Sequence, residues 1–387
     1  YKNRWDDTNH SNQDINELIK ELPNSIPDHD VLVGGFPCQD YSVAAQLNKS
    51  KGISGEKGSL WWSIYDIIKH KKPKYLILEN VGNIINSPKA DKGKDFSLIL
   101  KSLDEQGYSV EWKVINAADY GMPQKRKRIF IVAYLNGSTV QKKIRNKNLI
   151  KLFSSQGLIS GKFNCSESSI KIKEGTLEET LNYQIKKKFN NLKKSPFLDT
   201  GFMSNSIFFT SKTKPKYDGP KMIIRDVLDN DSNETSKFLF KIKKLEKNIE
   251  VKFSNGKKVN LETNLDKLKF YKSSKEIIKI NKEGFQYNYK EGNIKFPDSL
   301  EKPGRTIITS SGSEAVSRSL HIIKDNDKLR MLTPVEFERL NMFPENHTKI
   351  DNISNFQRVF LMGNALVVGI VELLGDSLSS LTNSNES

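Results

Sequence analysis

Three short stretches place reactive side chains at the ends of apolar runs. In "DVLVGGFPCQDYS" (30–42) a thiol, Cys38, stands directly behind a proline. A thiolate is a strong nucleophile, but a free thiol of pKa about 8.5 is only a few per cent ionised at neutral pH, so nearby positive charge activates it. In "YLILENVGN" (75–83) a carboxylate, Glu79, follows four apolar residues and precedes Asn80 and Asn83. A carboxylate there is costly unless it is paired or used, and partly apolar surroundings raise its pKa towards that of a proton donor. In "QKRKRIFIV" (124–132) Gln124, Arg126 and Arg128 alternate just before an apolar run, and alternation in an extended chain puts all three on one face. Each stretch also has a plain reading: a buried thiol under a turn, a satisfied strand-end Glu, a solvated basic edge or anion patch. A thiol, a carboxylate and a pair of arginines at neighbouring strand ends have a joint meaning that none of them has alone.

The elements that must position these groups alternate in type. "DVLVGGF" (30–36) and "KYLILENV" (74–81) are continuous apolar runs, the pattern of strands buried on both faces. Between them "GSLWWSIYDIIKHKK" spaces Leu60, Ile64, Ile67 and Ile68 as a helix does, and "DFSLILKSLDEQGY" reads as a helix closed by Gly107. "SVEWKVINA" and "KRIFIVAYL" add two more strands. The pattern predicts a parallel, Rossmann-like α/β sheet with helices on its faces. Such sheets bind ligands beyond the carboxyl ends of their strands, where Cys38 and Glu79 fall.

After about residue 140 the chain becomes Lys-rich and turn-rich, as a separate small domain of short strands and loops would be. Order returns at "RTIITSSG" (305–312). "TPVEFERLNMFP" (333–344) then opens a helix with a Thr cap, Pro334 in its first turn and Glu336 three residues after Thr333. The last segment, "GNALVVGIVELLGDSLSSL" (363–381), is a helix apolar on nearly every side that must dock on something.

A chain of 387 residues has room for two domains, and its net charge of +16 points to a polyanionic partner, nucleic acid first. Abundant Lys, Asn and Ile also fit the coding bias of an AT-rich genome. No stretch approaches the roughly 18 consecutive apolar residues of a membrane span, and "YKNRWDDTNHSN" has no apolar signal-peptide core. Cys38 and Cys165 offer neither a disulfide framework nor a paired metal-ligand spacing, so no metal is expected and a reducing cytosol is the natural setting.

Pro37-Cys38-Gln39, Glu79-Asn80-Val81 and Gln124-x-Arg126-x-Arg128 resemble, in order, the signature motifs of the bacterial DNA (cytosine-5) methyltransferase family, of the restriction–modification type. "KGSLWWSI" resembles the family's helix after the catalytic loop. "GRTIITSSG" and "RMLTPVEFERLNMFP" resemble the bridge to its recognition domain, and "GNALVVGIVELLGDSL" resembles the C-terminal helix that returns to the catalytic domain. The resemblance covers residues 10–133 and 284–380. It implies a Rossmann-like S-adenosylmethionine-dependent methyltransferase sheet with a smaller, mixed target recognition domain. The expected divisions are a catalytic domain at 1–140, the recognition domain and bridge at 141–344, and a returning C-terminal segment at 345–387.

The resemblance also implies roles. Cys38, Glu79, Arg126 and Arg128 would be catalytic, with Cys38 adding to carbon 6 of a flipped-out cytosine so that carbon 5 can take a methyl group. Asp14, Pro37, Leu60, Asn364 and Ala365 would line the S-adenosylmethionine site, Asp14 as the acidic residue near the adenine amino group. Gln39, Ser42, Asn83, Gln124, Arg305 and Thr306 would meet the DNA, and residues 42–58 would be the loop that closes over it. The partners implied are double-stranded DNA and a cognate restriction endonuclease, with no membrane, and the setting is the bacterial cytoplasm and nucleoid. A tRNA substrate, as in one family branch, is disfavoured by the long basic insertion after residue 140.

The pattern breaks at the start. The strand, Gly-rich turn and second strand with which the family begins have no match before residue 30 or after the last helix. That absence would leave strand 30–36 with an apolar edge, as expected of a fragment, of a chain completed by a partner polypeptide, or of a degenerate gene. Weak S-adenosylmethionine binding, little turnover by this chain alone and a role limited to DNA binding are the matching expectations.

Overall fold

The computed structural model describes residues 5, 10–36, 60–88, 91–178, 194–253, 255–281 and 284–383. Pro37, Cys38, Gln39, Ser42 and the expected closing loop at 42–58 lie outside the described residues. The chain divides into two compact units, one of residues 1–120, 127–219 and 370–387, the other of 121–126 and 220–369.

The first unit is built on a seven-stranded sheet of β1 (Val31–Gly35), β2 (Tyr75–Val81), β3 (Tyr108–Asn116), β4 (Lys127–Leu135), β5 (Lys173–Thr176), β6 (Thr200–Ser204) and β7 (Ile207–Ser211). Its order is β1-β2-β4-β3-β6-β7-β5. The helices preceding and linking the first strands are α1 (Ile15–Leu18), α2 (Leu60–Lys71) and α3 (Lys94–Glu105), and α4 (Thr139–Ile144) follows β4. α2 carries the apolar stripe read from the sequence, and Gly107, with φ +83°, ends the turn after α3. Trp61, Ile64 and Ile68 of α2 and Phe96, Ile99, Leu100 and Leu103 of α3 pack in one core with Leu76, Leu78, Ile129 and Ile131 of the sheet.

Three expectations are corrected. The sheet is mixed, not parallel: β1 and β2 run parallel, whereas β4 runs antiparallel to both β2 and β3. The cause is local. Residues 117–126 join β3 to β4 through little more than a single 3-10 turn, too short for the crossover that a parallel neighbour requires.

β1 is also not buried on both faces. It is the edge strand among the described residues, and Val31 and Val33 are 39% and 60% exposed. The division expected at residue 140 differs too, because β5, β6 and β7 extend the same sheet. Val110 and Trp112 of β3 pair with Met203 and Gly201 of β6, and a Cβ at Gly201 would lie 2.0 Å from the Trp112 ring. That close approach accounts for the glycine.

The second unit contains three two-stranded ribbons: β8 (Lys244–Lys252) with β9 (Lys258–Thr263), β10 (Lys275–Ile280) with β11 (Gln286–Glu291), and β12 (Ile322–Asp325) with β13 (Lys328–Met331). Its core joins Ile224, Ile307, Ile323, Leu332, Phe337, Leu340, Val359 and Met362. The helix Pro334–Leu340 starts with the capping box read from the sequence, Thr333 and Glu336 each bonding the other's backbone N–H. Glu336 is fully buried and takes a two-pronged ion pair from Arg330, with Nη1–Oε2 at 2.8 Å and Nη2–Oε1 at 2.7 Å. The segment Asn355–Asn383 has the length and hydropathy of a membrane span. It breaks, however, into helices Asn355–Asn364 and Val368–Asn383, and the second buries Ile370, Leu374 and Leu378.

Candidate active site

β2 and β4 bring two of the expected groups together. Val81 pairs with Arg128 and Glu79 with Phe130, so Glu79 and Arg128 are diagonal neighbours on one face of the sheet. Arg128 Nε lies 2.9 Å from Glu79 Oε1, and each side chain is 19% exposed. The pair is therefore about four-fifths shielded and still reachable from solvent. On the other side Gly35 of β1 pairs with Glu79, and a Cβ at Gly35 would stand 3.1 Å from Glu79 Oε2. The glycine thus leaves room for the carboxylate.

Asn80 supports the same corner and was not among the site residues inferred from the sequence. It is buried, and its Nδ2 donates to Phe36 O at 3.3 Å while its Oδ1 accepts from Val81 N at 2.7 Å. Asn80 thereby ties the end of β1, the last described residue before Pro37 and Cys38, to the end of β2. The only trace of this in the sequence is an amide after an apolar run. Phe36 is held from the helical side as well, its ring 5.3 Å from that of Trp61. Asn83 sits half-buried in the 3-10 turn that follows β2.

Gln124 and Arg126 do not join this face. Both are buried within the second unit. Gln124 Nε2 donates to Asn341 Oδ1 at 2.6 Å and to Leu340 O at 3.3 Å, and its Oε1 accepts from Ile307 N at 3.0 Å. Arg126 donates to Ile307 O and Gly363 O, each at 3.0 Å. The alternation read from the sequence fails because residues 121–126 belong to a different unit from β4, which begins at Lys127. Segment 123–125 instead bonds Gly304, with Gly304 N donating to Pro123 O at 2.7 Å and Lys125 N to Gly304 O at 2.8 Å.

Arg305 and Thr306 are likewise engaged. Arg305 forms a two-pronged pair with Asp298, at 2.5 and 3.1 Å, and also donates to Leu320 O. The Thr306 hydroxyl donates to Lys125 O.

Of the residues expected around the methyl donor, Asp14 is exposed and caps α1, its Oδ1 accepting from Asn16 N at 2.8 Å. Asn16 Oδ1 accepts from Ser63 Oγ at 2.8 Å, which seats α1 against the first turn of α2, begun by Leu60. A Cβ at Gly34 would meet nothing within 4 Å among the described residues, which leave backbone near the carboxyl end of β1 open to close approach. An exposed carboxylate, an apolar helix start and open backbone within one unit fit an adenosine-bearing group. Asn364 and Ala365 lie in the second unit, at the end of helix Asn355–Asn364, the first exposed and the second half-buried.

The family model for C-5 cytosine-specific DNA methylases matches residues 1–380. The chain belongs to this family. It is a DNA (cytosine-5) methyltransferase, and S-adenosylmethionine is the methyl donor the family uses. Type II methyltransferase M.Sau3AI of Staphylococcus aureus is 37% identical across 99% of this chain and 86% of that protein. Type II methyltransferase M.NgoBI of Neisseria gonorrhoeae is 44% identical over 29% of this chain and 33% of its own length. Among solved structures, the Entamoeba histolytica methyltransferase EhMeth superposes with a TM-score of 0.51 at 15% identity, covering 94% of this chain and 80% of the other. S. pombe Dnmt2 methyltransferase does so with the same score and identity over 96% and 85%. These two likenesses show the fold, a mixed Rossmann-like methyltransferase sheet.

Proposed function

We propose that this methyltransferase acts on a cytosine flipped out of double-stranded DNA, through a covalent adduct between Cys38 and carbon 6 of the base. Carbon 5 of cytosine is a poor nucleophile. Addition of the Cys38 thiolate at carbon 6 makes the ring enamine-like, with electron density at carbon 5. S-adenosylmethionine supplies an electrophilic methyl group. In the resting enzyme Glu79 is ionised and paired with Arg128. When the base enters, Arg128 holds its carbonyl oxygen, and Glu79, having taken up a proton from solvent, donates it to ring nitrogen 3 as the thiolate adds. As carbon 5 bonds the methyl group, the donor's S–CH3 bond breaks and S-adenosylhomocysteine leaves. A water molecule then takes the carbon 5 proton, and ring nitrogen 3 returns its proton to Glu79. The carbon 6–sulfur bond breaks to release 5-methylcytosine and the Cys38 thiolate.

The observation that carries this reading is the Arg128–Glu79 pair at the strand ends, beside backbone that Asn80 fixes just ahead of Cys38. Flipping costs a few kcal/mol of unstacking, a cost that binding contacts must offset. Asp14 and Leu60 would hold the adenosine end of the donor, beside Pro37. Gln39, Ser42 and Asn83 would meet the target nucleotide. The second unit, with its surplus of lysines, would carry target recognition. The protein would be the modification half of a restriction–modification pair, protecting nucleoid DNA from a cognate endonuclease.

The test is transfer of tritiated methyl groups from S-adenosylmethionine to duplex DNA by the protein produced from its natural gene. Transfer by the wild type and none by Cys38→Ser is the expected result. Equal transfer by both removes Cys38 from the mechanism.

A further inference from the structure

The β10–β11 ribbon carries a surface that the reaction just described does not use. Its register pairs Ile278 with Asn288 and Ile280 with Gln286, so these four side chains share one face. All four are exposed, Ile278 by 51% and Ile280 by 65%. The opposite face turns inward at the Lys275–Glu291 end, while Tyr287 at the other end stays exposed. On that face Lys275 is buried against Glu291 at 2.5 Å, and the backbone of Ile277 forms an isolated antiparallel bridge with Phe253, next to β8. Arg318 reaches the same carboxylate at 3.2 Å, and the Tyr289 hydroxyl donates to its other oxygen. The ribbon is therefore pinned at its base by a shared carboxylate, while the other face offers the isoleucines and amides outward, beyond the Glu276–Lys290 ion pair at 3.0 Å.

A two-stranded ribbon has the width of the DNA major groove, and the side chains on this face have the chemistry of an A·T pair. Asn and Gln amides bond adenine N6 and N7 in two-pronged fashion, and apolar groups meet the thymine methyl. The adjoining β8–β9 ribbon supplies exposed Lys247, Lys252 and Lys257, suited to flanking phosphates, which position but do not specify. We infer that the Ile278/Ile280/Gln286/Asn288 face enters the major groove and reads at least one A·T pair of the target sequence. This rests on the proposed DNA-methylating function and adds to it the element and the base type.

The experiment methylates a random-sequence duplex library with S-adenosylmethionine and reads the product by bisulfite sequencing. It uses the wild type, Gln286→Ala, Asn288→Ala and Ile280→Ser, each checked for wild-type thermal unfolding. The wild-type motif should contain an A·T position with about tenfold or greater discrimination against G·C, as one two-pronged amide contact provides. One of the amide variants should cut that to less than about threefold at that position only. On synthetic duplexes, uracil in place of that thymine should slow the wild type several-fold and leave Ile280→Ser unaffected. A motif of G·C pairs alone, or variants that keep the wild-type motif and its discrimination, overturns the inference while the methyltransferase reading stands. A wild type that methylates no DNA overturns both.

Discussion

Replacing Glu79 by Gln separates what the Arg128–Glu79 pair does for the fold from what it does for the reaction. The two charges are 2.9 Å apart and four-fifths shielded. At an effective dielectric of 20 their bare attraction is about 6 kcal/mol. Most of this is offset by the desolvation of both groups, so the net contribution to stability is about 1–2 kcal/mol. Glutamine keeps the shape and accepts from Arg128 Nε, so Glu79→Gln should lower the unfolding midpoint by only a few degrees.

The reaction should suffer more. A group that meets charge developing on the base acts in the transition state, and loss of one such contact costs about 3–4 kcal/mol, or 10²–10³ in rate. The assay is single-turnover transfer of tritiated methyl with enzyme in excess, beside thermal unfolding of the same samples. Arg128→Met and the double variant complete a cycle, and coupling of about 1 kcal/mol or more in the rate is expected for groups in contact. A Glu79→Gln rate within threefold of wild type would refute the role given to this carboxylate.

Further outcomes follow from single residues. Gly35→Ala sets a methyl 3.1 Å from Glu79 Oε2, so turnover should fall about tenfold by displacing the carboxylate, with little change in unfolding. Arg126→Met strips donors from the carbonyls of Ile307 and Gly363 inside the second unit, and should destabilise the protein by about 3 kcal/mol in a denaturant titration. Burial, then the neighbouring Arg305 charge, lowers the His321 imidazole from 6.5 to about 3. The folded protein therefore binds fewer protons than the unfolded chain between those values, and stability present above pH 6.5 is lost as the pH falls towards 3. Unfolding between pH 6.5 and 5 should show a loss of about 2 kcal/mol that is absent from His321→Gln.

The parts of the fold legible in the sequence are those set by local pattern. The apolar run of β2, the helical spacing of α2, the glycine after α3 and the Thr333–Glu336 capping box each declare themselves within a dozen residues. Strand direction did not, because it depends on how short the path from Asn116 to Lys127 is and on which neighbour β4 then meets. Nor did the extent of the sheet, since the strands beyond residue 140 are short and β6 reaches β3 only by long-range pairing of Thr200–Met203 with Val110–Lys113, Gly201 making room for Trp112.

In the site, Glu79 and Arg128 were legible as charges where charges are costly, and the structure pairs them. Gln124 and Arg126 share the same spacing but serve the second unit, because alternation fixes a face only while the strand continues. Asn80 was legible only as a member of the Glu79-Asn80-Val81 motif, and not as a support, because its bond to Phe36 O joins segments 44 residues apart.

The most direct test of the covalent mechanism is a duplex in which 5-fluorocytosine replaces the target cytosine. Fluorine at carbon 5 cannot leave as the proton does, so after methyl transfer the Cys38–carbon 6 bond should persist. With S-adenosylmethionine, the wild type should yield a denaturant-resistant protein–DNA adduct whose crosslinked peptide contains Cys38, and Cys38→Ser should yield none. An adduct formed equally by Cys38→Ser, or none from a wild type that methylates ordinary DNA, would contradict the account.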